Sequence, residues 1–244
     1  KAKFTTIANA KKEYNLEKRL NILIRGKDKA GEFYRKSFYS TFSYVSHRIP
    51  EITEDLYKID RALCAGFGWK LGPFQMWDAL GVEKTLSEME EAGYKAAHWV
   101  YEMIKSGNTS FYTSEYGSLN YYNIPTLSQE KVVGIENFII LDHIRENNTI
   151  WSNTGCNLID IGNGIVNLEW RTKMNSIGGE VLEGIQKSIE IAEKNFKGLV
   201  IANQGENFSV GANITMIFMM AIEQEYDEID FAVRAFQNTT RIIR

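Results

Sequence analysis

The chain has 244 residues, 44% of them hydrophobic and 24% charged, with a formal net charge of −3. That composition suits a folded protein of one or two domains, each able to bury a core. Acidic and basic residues are interspersed rather than blocked, so nothing in the charge favours nucleic acid or an anionic membrane surface as a partner.

The two cysteines, Cys64 and Cys156, read as free thiols of a reducing compartment. The histidines His47, His98 and His143 form no ligand-spaced cluster, so no metal site is expected. No apolar leader opens the chain, and its longest apolar run, 214–222, is far short of the roughly 20 residues that span a bilayer. A cytoplasmic protein without a transmembrane segment is expected. The first residue is Lys1 rather than Met, as in an excised piece of a longer chain.

Residues 1–30 are polar and Lys-rich and read as a linker with a short helix around 16–24. Tyr34, Phe38, Phe42, Val45 and Ile49 then recur at steps of four and three, one face of a helix that ends at Pro50. Ile52, Leu56, Ile59 and Leu63 mark a second helix, with Gly66 expected as its left-handed C-terminal residue. After a turn of glycines among aromatics, Pro73 fits the first turn of a third helix, which Gly81 stops. Two more helices precede Gly93 and Gly107, with His98 expected to pack beside Trp99. The span 31–107 is thus predicted as an all-helical unit of five helices.

Residues 108–156 are rich in Asn, Ser, Thr, Tyr and Gly and read as an irregular connector with a hairpin and a short strand at Phe138–Leu141. From 157 onward a hairpin is predicted around Gly162-Asn163-Gly164. A loop Lys173–Ser176, a helix carrying Val181, Ile185 and Ile189, a buried strand 198–203, a loop 208–213 and two further helices follow. The predicted order is β-β-α-β-loop-α-α.

Chemistry concentrates in two loops. In 208–213 a glycine stands directly before a helix, allowing close backbone approach by a ligand. The unpaired N–H groups and dipole of the helix start favour negative charge. Ala212 would donate its N–H to the oxyanion of a thioester being turned toward its enolate, and Gly211 would admit that thioester. The plainer reading of the same residues is a loop with Asn213 as an ordinary N-cap. In the other loop Lys173 offers a contact for a phosphate, against a solvated lysine beside a helix cap. The glycines at 66–72 are no dinucleotide fingerprint, because no strand leads into them.

These residues carry two resemblances. Arg48-Ile49-Pro50-Glu51-Ile52, Asp60, Gly66-Phe67-Gly68-Trp69, Gly72-Pro73-Phe74, Trp77-Asp78 and Leu80-Gly81 resemble the C-terminal helical domain of 3-hydroxyacyl-CoA dehydrogenases, over 31–107. Asp160 to Leu168, Lys173-Met174-Asn175-Ser176, Gly198-Leu199-Val200-Ile201 and Phe208-Ser209-Val210-Gly211-Ala212-Asn213 resemble the first half of the crotonase (enoyl-CoA hydratase) family, over 157–244. That order is the one found in a class of bifunctional fatty-acid oxidation proteins.

The resemblance implies a mixed α+β fold: an all-helical dehydrogenase C-terminal domain, a connector at 108–156, and a partial crotonase-like ββα domain. It implies a parent protein that hydrates trans-2-enoyl-CoA and oxidises 3-hydroxyacyl-CoA with NAD. Ala212 would be the first oxyanion donor beside Gly211, and Lys173, Met174 and Asn175 would meet the acyl-CoA thioester. The second donor, the hydratase glutamates and the NAD domain would lie elsewhere in the parent, and Glu169, Glu180 and Glu183 do not match the glutamate positions. Asn213 stands where the family often has Asp. The piece alone is expected to be inactive, to partner the rest of its parent chain, and to self-associate through apolar surface near Phe236 and Ile243. A non-catalytic docking module and a thioester isomerase or hydrolase of the same fold are the alternatives.

Overall fold

The computed structural model describes residues 3–115, 118–135, 138–205 and 207–243. It divides into two compact units, Lys1–Asn137 and Phe138–Arg244, each with its own core.

In the first unit the Lys-rich start is not a linker. It forms α1 (Thr5–Ala10), which was not expected, and α2 (Leu16–Ile24), the short helix that was. Leu20 and Ile24, four apart and so on one face, are buried in the main core. Asp28 ties the segment down, taking the Thr6 N–H on one oxygen and the Gly31 N–H on the other, both at 3.0 Å. Those donors hold its carboxyl down at about 2. Gly31 is required here, since a Cβ would stand 2.1 Å from the Gly26 carbonyl oxygen.

Five helices follow, as the spacing predicts: α3 (Lys29–Arg48), α4 (Leu56–Phe67), α5 (Pro73–Leu80), α6 (Val82–Glu91) and α7 (His98–Lys105). Pro73 does sit in the first turn of α5. The left-handed end of α4 is Gly68, at φ +66°, while Gly66 lies inside the helix. Phe42 of α3 stacks on Trp77 of α5 at 4.9 Å, and both are fully buried. His98 does not pack; its side chain is 86% exposed beside Glu102.

The expected irregular connector is ordered in its first part as an antiparallel sheet, β1 (Tyr112–Glu115), β2 (Ser118–Asn123) and β3 (Ser128–Lys131). Phe111, Tyr121, Tyr122 and Val132 enter the same core as the helices. The sheet is hung on two carboxylates, Asp60, which is buried, and Asp78, which is partly so. Asp78 of α5 accepts the N–H groups of Phe111 and Tyr112, both at 2.8 Å. Asp60 of α4 accepts those of Phe74 and Gln75, capping α5 from outside, and the Tyr112 hydroxyl at 2.8 Å.

In the second unit the strand expected at 138–141 is absent. Leu141 instead opens α8 (Leu141–Asn148), whose Leu141 and Ile144, three apart, pack on Ile159. A four-stranded sheet runs β4 (Thr149–Ser152), β5 (Cys156–Gly162), β6 (Ile165–Trp170), β7 (Gly198–Ile201) in that spatial order. The predicted β5–β6 hairpin is present, and its turn places Asn163 at φ +58° and Gly164 at φ +79°, as a tight hairpin requires. β7 is parallel to β6, and α9 (Gly179–Asn195) makes the crossover between them. On one face Leu158, Val166 and Leu168 meet Val181 and Ile185 of α9. On the other, Glu169 is buried and takes Arg145 of α8 in a two-pronged pair at 2.6 and 2.8 Å. α10 (Ile214–Ile222) and α11 (Tyr226–Ile242) complete the unit, and no residue of α10 is buried.

Candidate functional site

The two loops singled out in the sequence meet in space. After β6 the chain makes a 3₁₀ turn at Lys173–Asn175, with Met174 and Asn175 both at φ +54°. This turn delivers Ile177 beside the segment that leads into α10. The Ile177 N–H donates to the Gly211 carbonyl at 2.8 Å, and Ile177 and Ala212 form a parallel bridge. The Asn175 side chain donates to the Asn207 carbonyl at 2.9 Å, and the Ser209 hydroxyl donates to the Asn175 carbonyl at 2.7 Å. From the β7 side, Asn203 accepts the Trp170 N–H and donates to the Phe208 carbonyl.

Of the residues expected to form a site, Asn175, Gly211 and Ala212 are therefore brought together. Gly211 sits at φ +86°, a conformation that favours glycine. Ala212 is exposed, and its N–H donates no hydrogen bond among the described residues. Lys173 and Met174 are exposed and make no hydrogen bond to the 207–213 loop among the described residues. Asn213 caps α10, accepting the Met216 N–H at 3.4 Å.

Beside this junction lies an apolar cleft of about 470 Å³ between the start of α9, α10 and α11. Leu182, Met216, Met220, Ile229 and Phe236 wall it, and Gly178 and Ala212 stand at its lining. α9 approaches the sheet closely at Gly184, where a Cβ would meet the Cys156 sulfur at 2.7 Å. That contact buries Cys156 and pushes its thiol up to about 12, which leaves it inert as a nucleophile. The cleft thus combines a greasy wall with a free N–H at the start of a helix, where negative charge is favoured. Sequence reasoning named Gly211 and Ala212 as candidates. It missed the part of Ser209, whose signal was a hydroxyl two residues before that glycine, and of Ile177.

The described residues do not fit a dinucleotide. The only parallel crossover among them, β6–α9–β7, enters its helix through the turn 171–178, which has no G-x-G-x-x-G pattern, and β7 runs into Ala202-Asn203 rather than an acidic residue. Among the described residues no three His, Cys, Asp or Glu side chains gather to hold a metal ion, and no helix is long and apolar enough to cross a membrane.

No protein-family model matches the chain, and no solved structure matches it. The chain is 37% identical over 245 residues to a Bacillus subtilis (strain 168) protein named "Probable 3-hydroxyacyl-CoA dehydrogenase"; the match covers 100% of this chain and 31% of that protein. It is 23% identical over 233 residues to a Rickettsia prowazekii (strain Madrid E) protein provisionally named fatty acid oxidation complex trifunctional enzyme, covering 92% of this chain and 28% of the relative. A Rickettsia felis protein of the same name matches at 22% identity over 86% of this chain and 26% of its own length. The chain spans less than a third of the curated relatives it matches.

Proposed function

We propose that the chain is a segment of a fatty-acid oxidation protein that oxidises 3-hydroxyacyl-CoA with NAD and also hydrates enoyl-CoA. The observation that carries the dehydrogenase part is the 37% identity along the whole chain to a relative named for that activity. In this reading residues 31–107 are the helical C-terminal domain of the dehydrogenase and 157–244 the first half of a crotonase domain. The NAD site belongs to another part of the longer chain, since the residues present here do not fit it. The hydratase part rests on the Gly211–Ala212 peptide at the head of α10 beside an apolar cleft. There the Ala212 N–H stabilises the charge that gathers on the thioester oxygen as the enolate forms. The cleft takes the acyl chain, and Lys173 on the exposed turn reaches a phosphate of coenzyme A.

The test uses the full-length gene product. NADH formation from 3-hydroxybutyryl-CoA and loss of the enoyl absorbance of crotonyl-CoA are followed separately. Both activities are expected from the full chain and neither from residues 1–244 alone. Dehydrogenase activity without hydration would remove the crotonase part, and absence of both would end the reading. A second reading, a non-catalytic docking module, is favoured by α10, whose apolar residues Ile214, Phe218 and Ile222 are exposed. Hydration by the full chain that is lost in Gly211→Val decides against it.

A further inference from the structure

We infer that Ser209 is a positioning residue, which aims the Ala212 N–H by locking the peptide plane between Gly211 and Ala212; the inference rests on the proposed oxyanion role of that N–H. A trans peptide is planar, so its C=O and N–H point in opposite directions. The Gly211 carbonyl is held by the Ile177 N–H at 2.8 Å. The Ala212 N–H of the same plane is therefore turned away from the 173–177 loop. The lock holds only while Gly211 keeps its φ of +86°, because a glycine can otherwise swing to negative φ at little cost.

Ser209 supplies the second pin. Its hydroxyl oxygen accepts the Gly211 N–H at 3.0 Å, and its O–H donates to the Asn175 carbonyl at 2.7 Å. One hydroxyl thus acts as acceptor toward its own loop and donor toward the other. No aliphatic side chain can do this, and a hydroxyl is among the smallest groups with both capacities. Asn175 closes the circuit by donating to the Asn207 carbonyl, two residues before Ser209. The stitch is built from main chain and short side chains, so small errors in it pass directly to the Ala212 N–H.

The probe is hexa-2,4-dienoyl-CoA, a conjugated thioester whose absorbance and carbonyl Raman band shift when a donor polarises its oxygen. It is bound to the full-length gene product carrying Ser209→Ala, Ser209→Thr or Asn175→Gly. In the unchanged protein the bound carbonyl band is expected to move to lower frequency. Ser209→Ala is expected to lose most of that shift and to lower kcat for hydration roughly tenfold to a hundredfold, less than the loss of a donor itself, with KM changed far less. Ser209→Thr keeps both donor and acceptor and is expected to restore the shift. Asn175→Gly, which keeps the left-handed backbone and loses only its side-chain bond, is expected to lose part of the shift. If Ser209→Ala does not fold, the ordering of Thr and Asn175→Gly carries the test. A full shift in Ser209→Ala, or in Asn175→Gly together with none in Ser209→Thr, overturns the positioning role alone. A bound probe with no shift in the unchanged protein overturns the oxyanion role and this inference together.

Discussion

The first unit should lose stability as pH rises from 5 to 8, and Asp78 should be the main cause. Asp60 is almost fully buried and Asp78 mostly so, and neither has an ion-pair partner among the described residues. Each spends its oxygens on backbone N–H groups, which favours the charged form. Burial without a cation opposes that more strongly and pushes Asp60 up to about 6 and Asp78 up to about 7, with the charge of Asp60 adding to the effect on Asp78. Tyr112, between them, is driven far above its ordinary range by burial and by both carboxylates, with Arg61 opposing. A carboxyl raised in the folded state holds its proton where the unfolded chain has released it. Its contribution is therefore complete below the unfolded value near 3.8 and is lost as pH rises through the folded value. Between pH 5 and 8 this amounts to about 3 kcal/mol for Asp78 and about 1 kcal/mol for Asp60, were the two independent. The assay is urea unfolding at each pH, read by hydrogen exchange of peptides covering 73–80 and 110–123. Asp78→Asn is expected to cost stability at pH 5, since an amide oxygen and an NH₂ cannot both receive the Phe111 and Tyr112 N–H groups, and to flatten the pH profile. Parallel profiles for the two proteins would refute the reasoning.

Two further outcomes follow from the second unit. Removing the buried Glu169 carboxylate (Glu169→Ala) leaves Arg145 without its main partner and should cost about 3–5 kcal/mol, while the double change Glu169→Leu with Arg145→Met should recover most of it. Chemical denaturation of the three proteins checks this, and a double variant as unstable as the single one would sink it. Gly211→Ala meets no neighbouring atom but must hold φ near +86°, so it should destabilise by about 1–2 kcal/mol or let the loop relax. In either case it should weaken dienoyl-CoA polarisation in the full-length protein, which the same Raman band reads.

How much of this was legible in the sequence varied with how locally each feature is decided. Helix ends marked by Gly81, Gly93 and Gly107 were readable, because a positive φ is a property of one residue and its neighbours. Gly66 and Gly68 could not be separated, since both are glycines within one turn and only the packing of α4 decides which leaves the helix. At the start the helix at 16–24 was read and its burial in the core was missed. Lysines dominate the composition there, yet two apolar residues four apart, Leu20 and Ile24, suffice to bury one face of α2. At 138–141 a short apolar run was read as a strand although four residues carry no period that tells strand from helix. Residues 138–140 are neither strand nor helix, and a helix opens at Leu141, whose N–H donates to the Gln204 side chain and whose face packs on Ile159.

The candidate site shows the same division. Each loop announced itself alone, one by a glycine before a helix and the other by an Asn/Ser turn. What joins them is the β6–α9–β7 crossover, which returns the chain parallel to β6 and so places both loops at the same end of neighbouring strands. In an open parallel pair the loops beyond the strands' carboxyl ends are brought together by topology, whatever their sequence. The hydrogen bonds from Ser209 to Asn175 and from Ile177 to Gly211 are consequences of that placement, and no local pattern encodes them. This explains why the candidate residues Gly211 and Ala212 were named from the sequence while their hydrogen-bonded supports were not: a glycine before a helix start is a local fact, and the Ser209–Asn175 hydrogen bond joins residues 34 apart in the chain.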